Sequence, residues 1–162
     1  MKIKVGFGFD VHKLQDGEPL WLGGVQIPSD KGAIGHSDAD VLIHAICDAL
    51  LGSVNLRDIG FQFPNTNPAY KGISSLRLLE KVSRMVYESG YSVNNIDSTV
   101  CLEEPKLSPH IEQMKKKLAS CTGISEDDIS IKATTTEKLG FTGREEGIAA
   151  YAVVLVKKIS SD

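Results

Sequence analysis

The chain has 162 residues, of which 41% are hydrophobic and 24% charged, and its formal net charge is −3. This apolar fraction excludes a disordered chain and a coiled coil. The slightly acidic balance excludes the basic footprint of a duplex-binding protein, and no apolar run approaches the ~18 residues of a membrane span.

Residues 3–12 alternate, with Val5, Phe7, Phe9 and Val11 on one side and Gly6, Gly8, Asp10 and His12 on the other. This is a period-2 strand with one apolar face. Met1-Lys2-Ile3-Lys4-Val5-Gly6 enters it without the charged leader and apolar stretch of a secretory signal. Residues 13–35 are turn-rich and hold two short strand candidates, 20–22 and 25–27. Ser37 is the expected N-cap of a helix to about Leu51, with Gly52 as its stop and Val41, Leu42, Ala45, Ile46, Ala49 and Leu50 as its stripe. Residues 54–72 read as a long polar loop, a length that marks function or mobility. A second helix is expected over 74–88, with Leu76, Leu79, Val82 and Val86 inward and Gly90 as its stop.

Residues 95–103 read as a strand, broken by Glu103-Glu104-Pro105-Lys106. Ser108-Pro109 opens a third helix to about Ala119, with Ile111, Met114 and Leu118 on one face. Ser125 caps a short turn, and 129–133 and 148–157 are the last strands. Strands interleaved with three main helices predict one domain over 1–162, an α/β (α+β) two-layer sandwich with helices on one face of a mixed sheet. At this length the core needs no disulfide or metal to fold. Cys47, Cys101 and Cys121 are odd in number and form no CxxC, which fits reduced thiols in a cytoplasmic protein; a plastid protein without its transit peptide is the alternative.

Asp10 and His12 lie two apart, so both side chains leave the strand by the same face, beside glycines that leave room for a ligand. Carboxylate and imidazole suit zinc, although an Asp–His hydrogen bond at a strand end uses the same pair. Asp40, His44 and Asp48 are spaced i, i+4, i+8 and form a polar ridge, which solvent alone also explains. Asp10, His12 and His44 make the three protein ligands of a catalytic zinc if strand and helix meet. Asp58, beside Gly60, is either a turn aspartate or a ligand contact. Gly35, His36 and Ser37 lead into a helix N-terminus, which either attracts phosphate or is capped. Thr134-Thr135-Thr136-Glu137 offers hydroxyls for a diphosphate and one carboxylate for Mg²⁺, or is simply a threonine-rich strand end. Arg144 with Glu145 and Glu146 reads equally as a surface ion-pair cluster.

Gly8-Phe9-Asp10-Val11-His12, the run from Gly35-His36-Ser37 to His44, Asp58-Ile59-Gly60 and the run Thr134 to Arg144 occur in one order. Together they resemble the 2-C-methyl-D-erythritol 2,4-cyclodiphosphate synthase family of non-mevalonate isoprenoid biosynthesis, from about Lys4 to Lys157. The resemblance implies a homotrimer with active sites at subunit interfaces. It implies a substrate, 4-diphosphocytidyl-2-C-methyl-D-erythritol 2-phosphate, that cyclises and releases CMP. It places one Zn²⁺ per chain on Asp10, His12 and His44, and Mg²⁺ or Mn²⁺ on Glu137 with the substrate diphosphate. His36, Ser37, Asp58 and Gly60 would hold the erythritol part and its 2-phosphate. Pro105, Lys106, Lys132, Ala133, Thr134 and Thr135 would form the cytidine pocket, with Asp58 and Thr135 as positioning groups. Phe141 and Arg144 would line an axial cavity able to hold an isoprenoid or phosphate-bearing molecule. Leu102-Glu103-Glu104, Glu145 and Asn65 depart from the family's usual residues. A zinc phosphohydrolase using bound water, and a trimeric isoprenoid-diphosphate binding module, are the competing readings of the same ligand set.

Overall fold

The computed structural model describes residues 2–160. In chain order it contains β1 (Ile3–Asp16), β2 (Leu20–Leu22), β3 (Val25–Ile27), β4 (Lys31–Ile34), α1 (Val41–Ser53), α2 (Ile59–Gln62) and α3 (Ser75–Glu88). Then come β5 (Tyr91–Cys101), α4 (Ile111–Thr122), β6 (Ile129–Thr134), α5 (Gly140–Gly143) and β7 (Gly147–Lys158). The main sheet runs β4-β1-β7-β5-β6, and β2-β3 form a separate hairpin. Only β5 and β6 pair in parallel, joined by the α4 crossover; the other pairs are antiparallel. The sheet is therefore mixed, with its helices on one face, as expected.

The apolar residues of β1 face away from the helices. Val5 and Phe7 are each 64% exposed, and Phe9 and Val11 are also exposed, beside Tyr151 and Val153 of β7. The glycine face is the buried one, because α1 lies so close to the sheet that a side chain has no room. A Cβ on Gly6 would stand 1.8 Å from the Ala49 carbonyl oxygen, and one on Gly8 would stand 1.9 Å from that of Ala45. Burial follows backbone approach here, and hydropathy alone points the wrong way.

α1 begins later than expected. Its N-cap is Asp40, not Ser37, and Asp40 accepts from Ile43 N at 3.1 Å. The Asp40 carboxylate is fully buried and also takes the Gly23 and Gly24 N–H groups, at 3.0 and 2.8 Å. Burial pushes its pKa up despite these donors. One residue thus caps a helix and fixes the β2-β3 turn. Apart from His44 and Asp48, every α1 residue from Val41 to Leu51 is buried, so the helix is covered nearly all round. β4 lies in the turn-rich segment; four residues pairing with the far end of β1 leave too short a period to read.

Candidate metal centre and active-site cleft

Asp10 and His12 leave β1 on the helix side, and α1 places His44 one turn past its cap against them. Asp10 Oδ2 is 2.9 Å from His12 Nε2 and 3.0 Å from His44 Nδ1, and the two nitrogens are 3.1 Å apart. His12 Nδ1 donates to the Ile34 carbonyl at 3.0 Å, so a neutral His12 presents a lone pair at Nε2. Three electron-pair donors therefore converge on one vertex. Ligands about 2.0–2.1 Å from a tetrahedral zinc stand roughly 3.3 Å apart, so this N₂O set fits zinc with a small outward adjustment. Without a cation, a proton must occupy the vertex. Burial alone would raise the Asp10 pKa, but hydrogen bonds and charge from His12 and His44 hold it at about 2. Burial alone would lower that of His12, but Asp10 raises it above the ordinary value.

The triad sits in the wall of a cleft of about 180 Å³ lined also by His36, Ser37, Gly60, Phe63, Asn65 and Tyr70. Asp58 is exposed and does not line it; its carboxylate caps α2, accepting from Phe61 N at 2.9 Å. Asp48 is no solvated ridge residue. It accepts from Ile59 N at 2.7 Å and ties the start of α2 to α1. Sequence reasoning missed Phe63 and Tyr70, whose rings pack edge-on at 5.4 Å within the 54–72 segment. Their signal was three aromatics, Phe61, Phe63 and Tyr70, within one loop rich in polar residues. It also missed Ser75, fully buried, whose Oγ lies 3.0 Å from His44 Nε2.

A second hollow of about 170 Å³ is lined by Pro105, Lys106, Ala133, Thr134 and Thr135. Glu103 accepts from Thr136 N at 2.8 Å and so tethers the threonine run to the Pro105 turn. Lys132 is not part of this hollow. It points to the helix-free face and pairs with Asp97 at 2.6 Å. Glu137 and Lys138 follow with φ of 54° and 60°, two successive non-glycine residues in the left-handed region. Each such residue costs about 1–2 kcal/mol, and strain of this kind gathers at functional loops. Register puts Asp10, Ala150, Val100 and Ala133 in one row across β1, β7, β5 and β6. Three strand spacings, about 14 Å, separate triad from hollow. Phe141 packs on Gly147, and Arg144 holds Glu146 through two bonds of 3.0 and 3.2 Å. Glu145 pairs with Lys31 at 3.2 Å.

A mixed sheet with helices on one face and an Asp-His-His cluster in a cleft wall defines an α/β protein with a candidate metal site. Residues 3–157 match the model of the YgbB family. The 2-C-methyl-D-erythritol 2,4-cyclodiphosphate synthase of Bacteroides fragilis is 61% identical over 159 residues, 98% of this chain and all of its own. That of Parabacteroides distasonis is 61% identical over 161 residues, 99% of this chain and all of its own. The bifunctional IspDF of Campylobacter jejuni superposes with a TM-score of 0.94 at 42% identity, over 98% of this chain and 43% of that one. IspF of Plasmodium falciparum in complex with CDP gives 0.86 at 32% identity, over 98% and 97%. The chain belongs to the YgbB family, whose members here are 2-C-methyl-D-erythritol 2,4-cyclodiphosphate synthases. It is an enzyme of that activity.

Proposed function

We propose that the chain closes 4-diphosphocytidyl-2-C-methyl-D-erythritol 2-phosphate into the 2,4-cyclodiphosphate at a zinc centre formed by Asp10, His12 and His44. The observation that carries the metal reading is the meeting of three lone pairs at one vertex in the cleft wall. An oxygen of the 2-phosphate attacks the β-phosphorus; the bond from that phosphorus to the CMP oxygen breaks, and CMP leaves with the electron pair. No protein nucleophile is needed. When bound, zinc supplies a Lewis acid, and Mg²⁺ or Mn²⁺ at Glu137 screens the diphosphate charge.

The chain's own residues bend and hold the substrate. His36 and Ser37 contact the 2-phosphate, Asp58 takes the diol hydroxyls and Gly60 leaves room beside them. Pro105, Lys106, Ala133, Thr134 and Thr135 receive the cytidine and its phosphate, with Thr135 as a positioning group, while Lys132 stays paired with Asp97 on the other face of the sheet. Such positioning is worth up to about 7–11 kcal/mol in the best-oriented reactions. CMP release together with ³¹P NMR tests the reading. The cyclase product keeps both phosphorus atoms, whereas free phosphate and an open diol would mean hydrolysis.

The working unit is a homotrimer of single-domain chains with shared sites. Three observations support it. The cleft is smaller than the roughly 300–1,000 Å³ of a ligand pocket. The hollow at Ala133 lies about 14 Å away in the same chain. The outer face of β1 and β7 is apolar and exposed, with Phe9 and Tyr151 ring centroids 5.0 Å apart. Phe141 and Arg144 then lie near the axis, where an isoprenoid or phosphate-bearing molecule fits. Neither nucleic acid nor membrane is a partner, and the three unpaired cysteines suit the cytoplasm. No helix among the described residues is long and apolar enough to cross a membrane.

Two expected results follow from this arrangement. Glu137→Gln leaves zinc content unchanged but raises the Mg²⁺ needed for turnover; a Mg²⁺ titration that matches the wild type contradicts the assignment. Mixed trimers of His12→Ala with a Lys106→Ala/Thr135→Ala chain recover part of wild-type CMP release, because some interfaces carry both intact halves. No recovery in verified mixed trimers would place each site within one chain.

A further inference from the structure

His44 meets different chemistry at its two nitrogens. Nδ1 faces Asp10 Oδ2 and His12 Nε2, at 3.0 and 3.1 Å. Nε2 faces Ser75 Oγ at 3.0 Å and Ser37 Oγ at 3.1 Å. Behind Ser75 stands Asp38: one carboxylate oxygen accepts from Ser75 Oγ, and the other accepts from Ser75 N at 2.9 Å. A carboxylate only accepts, so the Ser75 hydroxyl proton points to Asp38 and its oxygen is left to accept from His44. Ser75 is fully buried, so water does not compete for this bond. Ser37 sets no such direction, because its oxygen receives a further donor, Ala39 N, at 3.2 Å.

The geometry points to Ser75 and Asp38 as positioning residues of the metal centre: they hold the His44 proton at Nε2, so that Nδ1 presents its lone pair to the vertex. This rests on the reading of Asp10, His12 and His44 as a metal centre. Partners of this kind orient ligating histidines, and their loss weakens metal binding about 10–100-fold. Asp38 also does structural work, since Ser74 at the N-cap of α3 makes no side-chain cap bond and Asp38 takes the next N–H instead. Ser75→Ala separates the two roles, because it keeps the bond to Ser75 N and removes only the hydroxyl. Asp38→Asn reverses the chain. Its amide oxygen takes the shorter of the two backbone bonds, from Ser75 N at 2.9 Å and not from Asp40 N at 3.3 Å, which turns the NH₂ to the Ser75 oxygen. The hydroxyl then donates to His44 Nε2 and drives the proton onto Nδ1.

The test is zinc affinity by chelator competition, with metal-free melting as the control for folding and the His44 Nε2 proton of the zinc-loaded protein followed by NMR. Ser75→Ala should weaken zinc binding about 10–100-fold, and Asp38→Asn at least as much. The wild-type Nε2 proton should exchange slowly, shift in Ser75→Ala and be lost in Asp38→Asn to the extent that the proton has moved to Nδ1. Folded variants that hold zinc within about twofold of wild type overturn the inference. If neither variant folds, the wild type decides alone: a His44 Nε2 proton exchanging as fast as in free imidazole overturns it. A wild-type protein that takes up no zinc overturns the metal centre and this inference together, whereas unaffected variants of a zinc-binding wild type overturn the inference alone.

Discussion

Gly8→Ala will cost the protein a large share of its stability. The new Cβ would lie 1.9 Å from the Ala45 carbonyl oxygen and 2.7 Å from Ala49 N, both backbone atoms of α1. No rotamer change relieves a backbone clash, so the helix or the strand must move by more than an ångström. α1 has little freedom to move, because it is buried against the sheet on one side and α3 on the other. A shift of that size also carries His44 away from Asp10. Overpacking of this severity costs on the order of 4 kcal/mol or more, against a total stability of about 5–15 kcal/mol. The thermal midpoint should fall by at least about 10 °C, as followed by circular dichroism. A midpoint within a few degrees of wild type would mean that α1 can be lifted cheaply from the sheet.

His12→Ala and His44→Ala should each lose bound zinc and at least about a thousandfold in kcat/KM, roughly 4 kcal/mol of transition-state stabilisation. The metal-free fold should survive, because the core is built from α1, the sheet and α3 without these rings. Elemental analysis and CMP release on the same sample check both effects, and full zinc occupancy in His44→Ala would remove His44 from the ligand set. Zinc must also displace the proton that Asp10 favours on His12. Affinity should therefore fall about tenfold per pH unit below the His12 pKa, and a pH-independent affinity would contradict that competition.

Local pattern carried a good deal of this molecule. The period of β1, the stripe of α3 and the Ser-Pro start before α4 depend on neighbours in sequence, and each element formed where its pattern lay. Asp10 and His12 were legible for the same reason, since two residues apart on a strand fixes a common face. The meeting with His44 was not, because it depends on how closely α1 approaches the sheet. The glycines at 6 and 8 carried that information, but as room for a ligand and not as a seat for a helix. Ser75 was invisible because its partners, Asp38 and His44, lie 37 and 31 residues away in the chain. Asp40 misled for a related reason: a buried cap serving a distant turn looks, in sequence, like one more acidic residue in a first turn.

The two carboxylates that flank the cleft loop have a consequence for how this chain can vary. Asp48 holds the backbone at Ile59, and Asp38 holds it at Ser75. Both ends of the intervening segment are therefore anchored to the ground that carries the triad, and a length change between them is not transmitted to it. Lengthening a flexible loop is cheap, about 0.6 kcal/mol per doubling. Residues 64–71 thus form an exchangeable cassette, bounded by the Gly72 N–H that donates to the His36 carbonyl at 3.0 Å: substrate contacts there can be redesigned, shortened or extended while the Asp-His-His vertex keeps its shape.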